Sequence, residues 1–164
     1  MTSTTAQSST PSPTPTPTPE APPAPERPTD MQSADSEGAA AAASYFMQLY
    51  PYVLATGDLA EWDALSATTC EFCSNTRAEV ERLQAAGQRS VGGVTVLSAT
   101  GQDLGANGWY RATLSVAITP SEDIDKAGVV VDTNDGGTYT IDVAMTWSDG
   151  WTIDSAGIVE TPVE

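Results

Sequence analysis

From Ala39 onward the apolar residues Ala39, Ala42, Ala43, Phe46, Leu49, Tyr50, Val53 and Leu54 return every three or four positions, which traces one continuous stripe along a helix. Pro51 lies inside the stripe. It lacks a backbone N–H and crowds the preceding turn, so a kink or early break is expected near residues 47–50. Gly57 is the expected stop. Asp58, with Glu61 three residues on, reads as a capping box for a short second helix that buries Leu59, Trp62 and Leu65. A third helix places Phe72, Val80 and Leu83 on one side, leaves Arg77, Glu81 and Arg82 exposed, and closes at Gly87.

Beyond Gly87 the period changes from helical to two-fold. Tyr110, Ala112, Leu114, Val116 and Ile118 alternate with polar residues, as do Tyr139, Ile141, Val143, Met145 and Trp147. Turn signals at 101–108, 120–125, 134–137 and 148–150 divide this half into about five strands joined as a meander. Helices followed by antiparallel strands specify an α+β domain, with the helices packed on one face of a curved sheet.

The first 30 residues break the pattern altogether. They hold nine of the twelve prolines, with Pro11, Pro13, Pro15, Pro17 and Pro19 alternating with Ser or Thr. Proline fixes its own φ and donates no ladder hydrogen bond, so this stretch predicts an extended, disordered spacer over residues 1–30. Residues 31–164 then form a single domain, about 135 residues long, which suffices for one core. A Ser/Thr/Pro stalk commonly joins a membrane anchor to an exported domain, so an upstream export signal, ending in a lipid-modified cysteine, is expected. The formal charge of −16, from 22 acidic and 6 basic residues, repels nucleic acid and anionic membrane surfaces. Membrane association is therefore expected only through that lipid anchor, with no nucleic-acid partner.

Cys70 and Cys73 are the chain's two cysteines, spaced C-x-x-C. Structural zinc needs four ligands, and the chain has no histidine. A thioredoxin-like pair should follow a strand in a βαβ unit, whereas this one sits between helices with acidic Glu71 between the thiols. The preferred reading is a local structural disulfide, present because the compartment is oxidising, which places the protein outside the cytoplasm. The acidic run Asp132 to Gly137 departs from calcium-loop spacing and reads as a hairpin turn, and Glu122, Asp123 and Asp125 read as a solvated loop.

Catalysis has little to draw on. There is no histidine, Lys126 is the sole lysine, and neither a phosphate loop nor a nucleophile elbow occurs. No catalytic residue, cofactor or metal is expected. Asp58, Asp63 or Asp142 would serve an enzyme only if buried with a raised pKa. If a pocket exists, Tyr45, Leu49, Val53, Trp109, Leu114, Tyr139 and Trp147 are the residues expected to border it, the competing reading being that all seven fill the core.

The ordered run of Tyr45 to Val53, Gly57-Asp58, Leu65-Ser66, Cys70-Glu71-Phe72-Cys73 and Gly92-Gly93, with Trp147-Ser148-Asp149-Gly150-Trp151 further on, resembles the actinobacterial family called domain of unknown function 6318. The resemblance implies a secreted lipoprotein with a proline-rich spacer and a cone similar to the nuclear transport factor 2-like superfamily. It brings no catalytic residue with it. The chain departs from the pattern in having no lipidated cysteine at its start. The resulting expectation is an extracytoplasmic binding or accessory module. A small isomerase or hydrolase using a buried aspartate, and a homodimer assembled through its sheet, are the alternatives.

Overall fold

The computed structural model describes residues 8–14 and 20–159, so the expected spacer lies partly outside the described residues. Ahead of the helices, Arg27 Nε donates to Glu61 at 2.7 Å. A single 3-10 turn, Thr29–Gln32, follows. The turn and the residues leading into the first helix are tied to the sheet by two aromatic side chains: Trp151 Nε1 donates to the Met31 carbonyl and Tyr110 Oη to the Ala34 carbonyl, both at 2.8 Å.

The helical stripe forms α1, Ser36–Thr56, capped by Asp35, whose Oδ1 accepts from Gly38 N. Ala39, Ala42, Ala43, Phe46, Leu49 and Val53 are all buried, as their spacing predicts. The expected break at Pro51 does not occur, and α1 runs through it to Gly57, which ends the helix at φ 76°. Leu49 and Val53 on either side are sealed in the core. Burial of that order, about 2 kcal/mol per side chain, offsets the roughly 3 kcal/mol that an interior proline costs.

Helix α2, Ala60–Leu65, buries Trp62 and Leu65, with Leu59 half-buried beside them. Asp58 Oδ1 accepts from Ala60 N, but Glu61 does not complete the predicted capping box. Its carboxylate is taken instead by Arg27 and by the Tyr45 hydroxyl. Helix α3, Glu71–Ala85, starts at the disulfide between Cys70 and Cys73, whose Cα atoms are 5.2 Å apart. Cys70 Sγ accepts from Cys73 N, so the bonded pair also caps the helix. Trp62 Nε1 donates to the Cys73 carbonyl at 3.1 Å, and Ala67 N to Ile153 O at 2.9 Å, which sutures this turn to the core and to the sheet.

Among the described residues seven strands follow, not five: β1 Arg89–Val91, β2 Val94–Asp103, β3 Trp109–Ile118, β4 Ser121–Ile124, β5 Val130–Asn134, β6 Gly137–Trp147 and β7 Trp151–Ile158. The long strands make one antiparallel sheet ordered β2-β3-β6-β7, and the short ones a second ordered β1-β4-β5. The simple meander is therefore corrected, since β4 and β5 leave the main sheet between β3 and β6. Pro120 ends β3 as expected, but Ser121–Ile124, read from sequence as part of a turn, pairs with β1 and β5 and buries Asp123 and Ile124. Gly92-Gly93 divides β1 from β2, and β2 takes in Gly101, where the turn signal of 101–108 is expected to begin.

The three helices lie on the inner face of the long sheet, giving an α+β architecture with one core between them. Helix α1 crosses β2 so closely that a Cβ built at Gly101 would stand 1.7 Å from Ser36 O. Two bulges bend the sheet, one at Leu97 in β2 and one at Asp154 in β7.

Candidate functional site

The second sheet does not continue the first. It stands off from the main sheet's end and leaves a cleft of about 440 Å³ between them. One wall is the C-terminal half of α1, through Tyr50, Pro51 and Leu54. The floor is the far end of the long sheet, where Val94 begins β2, Ile118 ends β3, Tyr139 lies near the start of β6 and Ile158 ends β7. The opposite wall is polar, made by Ser90, Ser121, Asp123 and the β5–β6 turn at Asn134-Asp135, with Glu79 of α3 at the rim. Gly92-Gly93 passes between the walls, and Gly93 N donates to Thr119 Oγ1 at 2.8 Å.

Among the described lining residues are three carboxylates, Glu79, Asp123 and Asp135, and no lysine or arginine. Arg82, outside the lining, grips Glu79 with Nε and Nη2 at 2.9 and 2.6 Å and holds that carboxyl below its usual pKa. The same guanidinium comes within 3.7 Å of Asp123, which is only 5% exposed. Burial, and then the charge of Glu79, push the Tyr50 phenol up. The site thus joins an apolar floor with a wall carrying excess negative charge.

The seven expected pocket residues do not converge on this cleft. Tyr45, Leu49, Val53 and Leu114 are buried core side chains. The Tyr45 hydroxyl donates to Glu61 at 2.9 Å, and burial pushes its pKa up to about 12. Trp109 stands on the outer sheet face, 44% exposed. Trp147 borders a smaller groove of about 250 Å³ with Arg27, Pro28, Met31 and Trp151, at the end of the sheet where the chain enters. Tyr139 alone of the seven lines the main cleft.

The aspartates considered for chemistry also lie elsewhere. Asp63 pairs with Arg77, Asp142 with Arg111 and Thr113, and Asp58 accepts from Tyr52 Oη. Of the acidic loop residues, Asp125 spends Oδ1 on the N–H groups of Ala127 and Val129, whereas Asp123 faces the cleft. Sequence reasoning missed Tyr50, Asp123, Asn134 and Asp135 as cleft residues. The Gly92-Gly93 dipeptide marks the spot in the chain, but nothing local shows which strands surround it.

No functionally curated protein matches this sequence. The fold is similar to the crystal structure of the intermembrane space region of chloroplast protein ARC6, with a TM-score of 0.55 at 16% identity, covering 77% of this chain and 98% of that one. An uncharacterized protein with a cystatin-like fold from Caulobacter vibrioides aligns with a TM-score of 0.45 at 10% identity, over 73% of this chain and 88% of that one. With residues 12–157 matched by its sequence pattern, the chain belongs to the family of unknown function DUF6318.

Proposed function

We propose that this chain is a non-catalytic binding module of the cell envelope, carried on its proline-rich leader as a secreted lipoprotein of actinobacterial type. Its α+β domain is read as a cone of the nuclear transport factor 2-like kind. The observation that carries the reading is the cleft between the two sheets, whose volume falls within the roughly 300–1,000 Å³ of small-molecule sites and whose apolar floor meets a few polar groups. Two features support binding over chemistry. Glu79 is clamped by Arg82, which keeps it ionised and engaged, and Asp58, Asp63 and Asp142, the aspartates considered as bases, are bound to surface partners away from the cleft. The disulfide supports export, because such bonds persist in oxidising compartments.

The binding reading is tested by titrating the isotopically labelled chain with 2-phenylethanol, 2-phenylethylammonium and phenylacetate and following backbone amide resonances. At least one probe is expected to move Gly92, Gly93 and Tyr139. Gly93→Leu should abolish that response while the fold is kept, since a Cβ there meets only Thr119 Oγ1, at 3.6 Å. Silence of these amides to all three probes overturns the reading. For export, thiol titration of native material should find no free thiol, and two alkylatable cysteines would refute the oxidising compartment.

A second reading, assembly through a sheet edge, is favoured by β5. All five of its residues are exposed and it forms the outer edge of the short sheet, with Val130 and Val131 at 44% and 48% exposure and Val129 just before it at 57%. An uncovered apolar edge is a template for strand pairing. Sedimentation velocity over a concentration series should then show a dimer that Val130→Lys removes, and a monomer throughout would exclude it.

A further inference from the structure

The cleft's charge is out of balance with its own walls. Among the described lining residues, Glu79, Asp123 and Asp135 contribute three formal negative charges, and Arg82 brings to two of them one positive charge that Glu79 already engages through two hydrogen bonds. Asp123 is the telling residue. It is 5% exposed, yet the guanidinium lies 3.7 Å from its Oδ2, beyond hydrogen-bonding distance. A buried carboxylate that shares its ion-pair partner with Glu79 gains from a further cation that enters. The floor and the α1 wall, facing the polar wall, are wrong for a bare metal ion: Leu54, Val94, Ile118, Ile158 and the rings of Tyr50 and Tyr139 present carbon. Among the described residues, no cluster of three or more metal-ligating side chains occurs. Tyrosine faces, by contrast, attract organic ammonium groups. The chain's overall charge of −16 adds a long-range field that concentrates cations at its surface.

We infer that the cleft takes a small organic cation, with its ammonium group toward Asp123 and Glu79 and its apolar body against Leu54, Ile118, Ile158 and the two tyrosine rings. The inference rests on the reading of the cleft as a binding site and names the ligand class for it. Charge complementarity chooses the head group, and the apolar floor chooses a carbon body over a hydrated ion. An anion of the same size meets three carboxylates and is rejected.

The three phenyl probes separate this inference from the one beneath it, because they share a body and differ in charge. The ammonium is expected to bind about ten-fold more tightly than 2-phenylethanol, with shifts centred on Gly92, Gly93 and Tyr139, and phenylacetate is expected not to bind. Asp123→Asn should bring the ammonium to the affinity of the alcohol. Because Asp123 is buried, Asp135→Asn, at an exposed turn, provides a second variant with an expected loss of about three-fold. Glu122→Gln, an exposed acid on the same strand but outside the lining, should change nothing. Equal binding of alcohol and ammonium leaves the cleft a binding site and overturns the cation. Ammonium shifts scattered over the acidic surface, or preference for phenylacetate, also overturn it, whereas silence of the cleft to all three removes the underlying reading as well.

Discussion

Reducing the Cys70–Cys73 bond is expected to weaken the domain by about 2 kcal/mol without unfolding it. The disulfide joins residues three apart in sequence, so the loop it closes contains only Cys70 to Cys73. The chain-entropy relation for so short a loop gives roughly 6 cal/mol/K, or about 2 kcal/mol at room temperature. Other contacts hold the same turn: the Trp62–Cys73 hydrogen bond, the Ala67–Ile153 hydrogen bond and the Ser66–Ile153 bridge do not need the crosslink. Reduction leaves both sulfur atoms in place, so comparing oxidised and reduced protein isolates the bond from the cavity that Cys→Ala substitution would open. In urea, with a slope of about 2 kcal/mol/M, the midpoint should fall by roughly 1 M. The melting temperature should fall by roughly 6 °C, with one cooperative transition retained. An unchanged midpoint would show that the turn holds itself without the bond. Loss of the cooperative transition would show that the bond staples the whole fold, and either result refutes the reasoning.

Three further perturbations follow from the packing. Trp62→Ala removes a fully buried ring stacked on Phe46 at 4.2 Å and the hydrogen bond its Nε1 donates to Cys73 O, so a loss of about 4 kcal/mol is expected by urea titration, with Trp62→Phe costing less than half of that. Gly101→Ala drives a methyl group into the α1 backbone at Ser36, which cannot yield as a side chain would, and should cost about 3 kcal/mol in the same assay. Asp154 Oδ2 is buried in the β7 bulge without a hydrogen-bond partner, and burial raises its carboxyl above the ordinary 3.8. The folded chain then holds the proton better than the unfolded one, so this contribution is full in acid and is lost as pH rises from 3.8 through the raised folded value. Asp154→Asn should therefore stabilise the protein at pH 7, by about 1 kcal/mol, and leave it unchanged near pH 3. A melting-temperature gain of equal size at both pH values would refute the assignment.

Local periodicity carried the helices and the long strands. Every apolar position of the α1 stripe from Ala39 to Val53 except half-buried Tyr50 is sealed in the core, and the alternation in β3 and β6 buries Tyr110, Ala112, Leu114 and Val116 against Ile141, Val143 and Met145. Gly57 and the cysteine turn were equally legible, because a left-handed helix stop and a four-residue disulfide loop are properties of neighbouring residues. Pro51 shows where local reasoning ends. Its effect on α1 depends on how firmly Leu49 and Val53 are held, and that is set by residues far along the chain.

The cleft belongs wholly to tertiary structure. Its walls come from α1, α3, the ends of four strands and the short sheet, so no window of sequence contains it. The seven aromatic and aliphatic residues expected there were chosen by their hydrophobicity, and hydrophobicity is the property that draws a side chain into the core, as with Tyr45, Leu49, Val53 and Leu114. Asp123 was read as a loop acid because its neighbours are polar. Pairing of β4 between β1 and β5 buried it and turned it toward the cleft. The chain by itself determined composition, periodicity and where elements stop, since these act within a few residues. Which of its carboxylates would share one cavity was decided by strand pairing across tens of residues, where the closure of the fold, and not local preference, sets the neighbours.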